Sequence, residues 1–161
     1  TPDKDLGQCV KGRRVVQYDR RKREILDEAA VREKFGVGPA SIPDYLGLVG
    51  DTADGFPGLP GWGAKSASLV LARYDHLEGI PAQASLWEVD GLRGAAKLSA
   101  TLQENMELAV LFRIIATVDR AVPVGAVDDW EWRGPTDEFA RVCERLGVPG
   151  LATRAASLAR G

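Results

Sequence analysis

Apolar residues recur along the chain with a spacing that changes from stretch to stretch, and the changes mark its elements. Val15, Val16 and Tyr18 form a short β-branched and aromatic run, Asp19–Arg23 is a charged break, and Ile25 and Leu26 follow. This pattern predicts a small hairpin over residues 14–26 with a charged turn. From Asp27 the spacing becomes helical: Asp27 caps a helix carrying Ala30, Val31 and Phe35, which Gly36 and Gly38 stop. Ser41-Ile42-Pro43 supplies a cap and a first-turn proline for a second short helix through Tyr45, Leu46, Leu48 and Val49.

Residues 50–63 are too rich in Gly and Pro for regular structure and are expected to be loops. They feed directly into a breaker-free helix, Ala64–Tyr74. Further helices are expected over 85–89, 95–101 and 103–116, an extended stretch over 121–133, and two closing helices over 136–146 and 151–159. Leu46, Val49, Leu69, Leu71, Leu108, Leu111 and Ile115 are the expected core of the helical part. No internal repeat is evident.

Length and composition fit this reading: 161 residues, 45% hydrophobic and 27% charged, are enough for one or two globular domains with a sizeable core. No window is apolar enough for a membrane span, and the first residues lack a signal-peptide pattern. Cys9 and Cys143 lie far apart without CxxC spacing, which supports neither a disulfide framework nor a thiolate zinc site, so reduced cytosol is the expected compartment. Both cysteines are expected to be at least partly buried, and the sequence, opening on Thr1 with Met106 as its one methionine, is expected to be a fragment.

The net charge of −2 carries no global basic signature, but its distribution is uneven. Basic residues crowd 11–14 and 20–23, whereas acids come in pairs: Asp3/Asp5, Asp51/Asp54 and Asp128/Asp129. On a strand, Asp3 and Asp5 at i and i+2 would point to one face. Asp51 and Asp54, at i and i+3 in a glycine-flanked turn, would align on one helical turn, although a capping Asp in an Asx-turn has the same signature. Hard cations such as Mg²⁺ or Mn²⁺ prefer such oxygen ligands.

The third feature is Gly58-Leu59-Pro60-Gly61-Trp62-Gly63-Ala64-Lys65-Ser66, a tight turn opening a helix with Lys and Ser in its first turn. Backbone N–H groups and the positive helix end suit an anion there, and the absent β-carbons allow a phosphate close. Such contacts fix a nucleic-acid backbone without reading bases. The P-loop spacing fails, because Lys65 follows Ala64 rather than a glycine. His76 is expected at a helix end or the surface, Trp62 as a brace of the turn, and Trp87, Trp130 and Trp132 as packing residues.

The order Asp3-Lys4-Asp5-Leu6, a helical stretch, Gly50-Asp51-x-x-Asp54-Gly55-x-Pro57-Gly58, then Gly61-Trp62-Gly63-x-Lys65-Ser66-Ala67 resembles the C-terminal half of the structure-specific 5′-nuclease family. That family comprises the 5′→3′ exonuclease domain of bacterial DNA polymerase I, stand-alone 5′→3′ exonucleases and flap endonucleases. The likeness runs from Thr1 to about Pro123, and Gly55 stands where polymerase-linked members tend to have Asn, as in the stand-alone enzymes.

The resemblance implies a mainly α fold. Residues 1–37 would be the C-terminal remnant of an α/β PIN-like nuclease core, and 38–123 a helix-hairpin-helix (helix–three-turn–helix, SAM-like) DNA-binding domain. Residues 124–161 would form an extended segment and closing helices. It further implies that Asp3, Asp5, Asp51 and Asp54 hold one ion of a two-metal Mg²⁺ or Mn²⁺ site. Gly58, Gly61, Gly63, Lys65 and Ser66 would meet the phosphates of double-stranded DNA near a 5′ end or flap, with K⁺ in the turn. The expected activity is hydrolysis of DNA phosphodiesters in replication or repair. The chain alone is expected to be nearly inactive, because nothing in it matches the family's upstream carboxylates and helical arch. Non-catalytic duplex binding through the hairpin is the alternative reading, and a small-molecule phosphatase a poorer third.

Overall fold

A computed structural model describes residues 3–159. The chain is mainly helical, with one two-stranded antiparallel sheet, and divides into two compact units, 1–119 and 120–161.

In the first unit a 3₁₀ turn, Asp5–Cys9, precedes the hairpin of β1 (Gln17–Asp19) and β2 (Glu24–Leu26), in which Gln17 pairs with Leu26 and Asp19 with Glu24. The Asp19 carboxylate accepts the N–H groups of Arg21 and Lys22 and so closes the charged turn. The hairpin begins later than its apolar run suggests, since Val15 bridges Lys11 and Val16 precedes the ladder. Helix α1 (Glu28–Phe35) starts where Asp27 accepts the Ala30 N–H and ends where Gly36 turns left-handed (φ +73°).

Helices α2 (Ile42–Val49), α3 (Ala64–Tyr74), α4 (Ala95–Glu104) and α5 (Met106–Ala116) complete the unit. One core joins Val31 and Phe35 of α1, Leu46 and Leu48 of α2, Val70 and Leu71 of α3, and Phe112 of α5. The boundary expected between 37 and 38 therefore falls inside one packed body.

The structure departs from the expected elements and core at further points. The strand on which Asp3 and Asp5 would share a face does not form: the Asp3 side chain accepts the Asp5 N–H and Gly7 donates to the Lys4 carbonyl, which winds this segment into a 3₁₀ turn. The helix expected over 85–89 is only the 3₁₀ turn Ala84–Leu86, because the Trp87 indole donates to the Pro81 carbonyl and draws the chain out. In α5, Leu108, Leu111 and Ile115 are exposed, and the buried face is Ala109, Phe112 and Ala116. Here α2 and α5 approach so closely at Gly47 that a β-carbon would lie 2.9 Å from the Ala109 carbonyl oxygen, so the crossing takes the small side chain of Ala109 rather than a leucine, while Phe112 on the same face stacks on Phe56. Leu69 is only half-buried, while its neighbour Val70 is wholly buried.

The second unit is an extended stretch interrupted by the 3₁₀ turn Val127–Trp130, followed by α6 (Phe139–Arg145) packed on α7 (Gly150–Leu158). Cys143 is buried, but Trp130 and Trp132 stand exposed rather than packed. Among the described residues no helix is long and apolar enough to cross a membrane.

Candidate metal centre and nucleic-acid interface

Two features bring distant carboxylates together. Gln8, buried, donates its side-chain amide to the Ala116 carbonyl (2.8 Å) and accepts the Val118 N–H (3.0 Å), which ties the turn bearing Asp5 to the end of α5. After α2 the chain crosses itself: a β-carbon on Gly50 would meet Pro57 at 2.3 Å, and one on Gly58 would meet Gly50 at 2.4 Å. Both glycines have positive φ, and only there can backbone lie on backbone. The crossing fixes a tight turn in which Asp51 and Phe56 exchange N–H···O bonds of 2.9 and 3.1 Å.

Asp5, Asp51 and Asp54 thus each offer an oxygen within 4.8 Å of the others. Asp51 is buried, Asp5 half-buried and Asp54 exposed. Asp3, the fourth expected ligand, stands outside this triad, and its Oδ1 accepts the Asp5 N–H. Burial and the charges of Asp54, Asp3 and Asp51 push the Asp5 carboxyl up to about 6. Burial also opposes the Asp51 charge, but the Lys4 ammonium 2.6 Å away and the Ala53 N–H hold that carboxyl below its ordinary value. Asp5 Oδ1 is buried with no hydrogen-bond partner. An all-oxygen donor set with one orphaned buried oxygen fits a hard divalent cation.

The glycine-rich turn stands at the start of α3. Trp62 is buried against Trp87, with ring centroids 6.2 Å apart, and braces the turn. Gly61 is left-handed (φ +80°), whereas Gly63, at φ −147°, caps α3 in an extended conformation. No atom lies within 4 Å of a β-carbon built on either. Ser66 is engaged locally: its hydroxyl donates to the Gly63 carbonyl and accepts the Gly63 N–H, both at 3.0 Å. First-turn N–H groups of α3, such as those of Ala64 and Lys65, have no intrahelical acceptor. Lys65 is exposed, and Gly58 is buried in the chain crossing.

Buried Asp44 of α2 accepts the Leu77 N–H (3.2 Å), His76 Nδ1 (2.8 Å) and Arg113 of α5 (3.0 Å). The hydrogen bond from Arg113 holds the Glu78 carboxyl down to about 2. His76 is thus a helix-end residue that locks α3 to α2. Lys4, Gln8 and Asp44 escaped the sequence reading. The signal for Lys4 was its place between two aspartates; a lone Gln or Asp within an apolar run gives none.

The profile of the family described as 5′-3′ exonuclease, C-terminal SAM fold, matches residues 37–138. DNA polymerase I of Pseudomonas aeruginosa is 40% identical over 145 residues, which are 88% of this chain and 16% of that protein. DNA polymerase I of Bacillus caldotenax is 35% identical over 142 residues, 84% of this chain and 15% of that protein. A 5′-3′ exonuclease of Aquifex aeolicus is 44% identical over 80 residues, half of this chain and 27% of that protein. The chain therefore spans only a minor part of these relatives, and it belongs to the 5′-3′ exonuclease family as a C-terminal SAM-fold member.

Proposed function

We propose that the chain is the metal-binding and duplex-binding part of a 5′→3′ exonuclease or 5′-flap nuclease that hydrolyses DNA phosphodiesters in the cytoplasm, during replication or repair. The observation that carries this reading is the triad of Asp5, Asp51 and Asp54 with its orphaned buried oxygen. Duplex binding alone would need the glycine turn but no convergent carboxylates, which places the nuclease reading ahead of a non-catalytic module.

Asp5 and Asp51 would hold a Mg²⁺ or Mn²⁺ ion from the buried side, and Asp54 from the solvent side, where substrate arrives. When bound, such an ion withdraws charge from the phosphodiester and stabilises the leaving oxygen. Asp3 would orient Asp5 through its hydrogen bond to the Asp5 N–H. Gly61, Gly63 and the start of α3 would seat a phosphate of the duplex, with Lys65 supplying charge. A two-metal hydrolase needs a second ligand set, and among the described residues the triad is the one such cluster, so residues 1–161 alone should show negligible turnover on a 5′-flap substrate.

A Mn²⁺ titration followed by electron paramagnetic resonance tests the reading. Expected is one ion bound by the wild-type chain and at least tenfold weaker binding by Asp5→Asn and Asp51→Asn. Equal Mn²⁺ binding by all three would remove the triad from the function.

A further inference from the structure

A groove of about 520 Å³ runs beside the glycine turn, and its far wall belongs to neither feature described above. One wall is Gly61, Gly63 and Lys65; the other is Gly91, Arg93 and Gly94 with Lys97 of α4, over a leucine floor. Lys65, Arg93 and Lys97 are exposed, and no ion pair or hydrogen bond engages their side chains among the described residues. No acidic side chain lines the groove. Three uncompensated cations sharing one concavity, in a chain of net charge −2, concentrate positive potential there.

The far wall shares several features with the near one. Gly61-Trp62-Gly63-Ala64-Lys65 and Gly91-Leu92-Arg93-Gly94-Ala95-Ala96-Lys97 each begin with a left-handed glycine (φ +80° and +71°) and continue with an apolar residue packed in or against the core. Each ends on a glycine N-cap, extended at Gly63 and left-handed at Gly94 (φ +72°), with a lysine in the following helical turn. At Gly91 and Gly94, as at Gly61 and Gly63, nothing lies within 4 Å of a built β-carbon, so both backbones are open to close approach. The groove is too shallow in polar groups to read a base or a small metabolite: it offers cations, bare backbone and an apolar floor.

We propose that Gly91–Gly94 with Arg93 and Lys97 is a second phosphate-binding element, and that the groove holds the sugar-phosphate backbone of duplex DNA from both walls. The inference rests on the duplex-binding reading of the first turn and extends it to a part of the chain that reading does not use. Arg93 and Lys97 are exposed and unpartnered, so replacing them leaves the fold intact.

The test is the salt dependence of binding to a fluorescent duplex, read by anisotropy. Each lost phosphate contact lowers the magnitude of the slope of log K against log salt by about 0.9. Arg93→Gln with Lys97→Gln should lower it by about 2, Lys65→Gln by about 1, and Lys97→Arg should keep the wild-type slope. A wild-type slope in the Arg93/Lys97 double variant, while Lys65→Gln reduces it, overturns the second element and leaves the first. A wild-type chain that does not bind duplex at all overturns both.

Discussion

The Lys4 ammonium lies 2.6 Å from Oδ2 of Asp51, so a cation already stands against the most deeply buried carboxylate of the triad. A divalent ion entering the site must move that ammonium aside. Lys4→Met should accordingly lower the melting temperature of the metal-free chain, which loses the partner of a buried charge, and tighten Mn²⁺ binding several-fold. Weaker Mn²⁺ binding by Lys4→Met in the same titration would mean that Lys4 assists the ion rather than competing with it.

Asp5 sets a pH dependence whose sign is opposite to that of an ordinary paired carboxylate. Burial and its aspartate neighbours raise it from 3.8 to about 6, so the folded chain binds the proton more tightly than the unfolded chain does. Through this group, stability falls as pH rises from about 4 to about 6 and stays low above it. Asp5→Asn should therefore raise the metal-free melting temperature at pH 7 relative to wild type, with little difference at pH 4. It should also abolish the stabilisation that Mn²⁺ gives the wild type at pH 7. Thermal melts of both proteins at the two pH values, with and without Mn²⁺, check each part.

The two glycines of the turn separate strain from steric exclusion. Gly61→Ala places a side chain at φ +80° and should cost about 1 kcal/mol of stability. Gly63→Ala meets no neighbour and has an extended φ of −147°, so the fold should tolerate it. Any loss of duplex affinity in Gly63→Ala then reports the close approach of a phosphate. Urea denaturation and anisotropy on the two variants measure the two effects, and wild-type affinity in Gly63→Ala would take this part of the turn out of the interface.

Arg113→Met leaves buried Asp44 without its charged partner and should destabilise the fold by about 3 kcal/mol, read as a shift of the urea midpoint at constant slope. Adding Asp44→Asn to that variant should restore part of the loss, because the uncompensated charge is gone. The pair couples α2 to α5, so the two substitutions should be strongly non-additive.

The elements that carry their own signals are legible in the sequence. Asp27 capping α1, Gly36 ending it, the proline at the start of α2 and the glycine-rich approach to α3 are local, and local chemistry decides them. The face of α5 was not legible, because that helix is apolar nearly all round, with Leu108, Leu111, Ile114 and Ile115 as hydrophobic as the residues it buries. Its orientation is settled by the close crossing at Gly47, a tertiary fact. At the site, the aspartate spacings pointed to a convergent cluster. That Asp5 joins it from a 3₁₀ turn while Asp3 steps out depends on Gln8 reaching the end of α5, which no spacing within the first ten residues encodes.

The central claim is that the carboxylate triad and the glycine turn serve one substrate, a DNA duplex whose phosphate reaches the metal. Mn²⁺ affinity measured with and without a 5′-flap duplex tests this directly, since coupling between two ligands is reciprocal. A shared substrate should tighten Mn²⁺ binding by at least about fivefold and duplex binding by the same factor, with Asp51→Asn removing the coupling but not duplex binding. Identical Mn²⁺ affinities with and without the duplex, in a chain that binds both, would show that the two sites do not act on one phosphodiester.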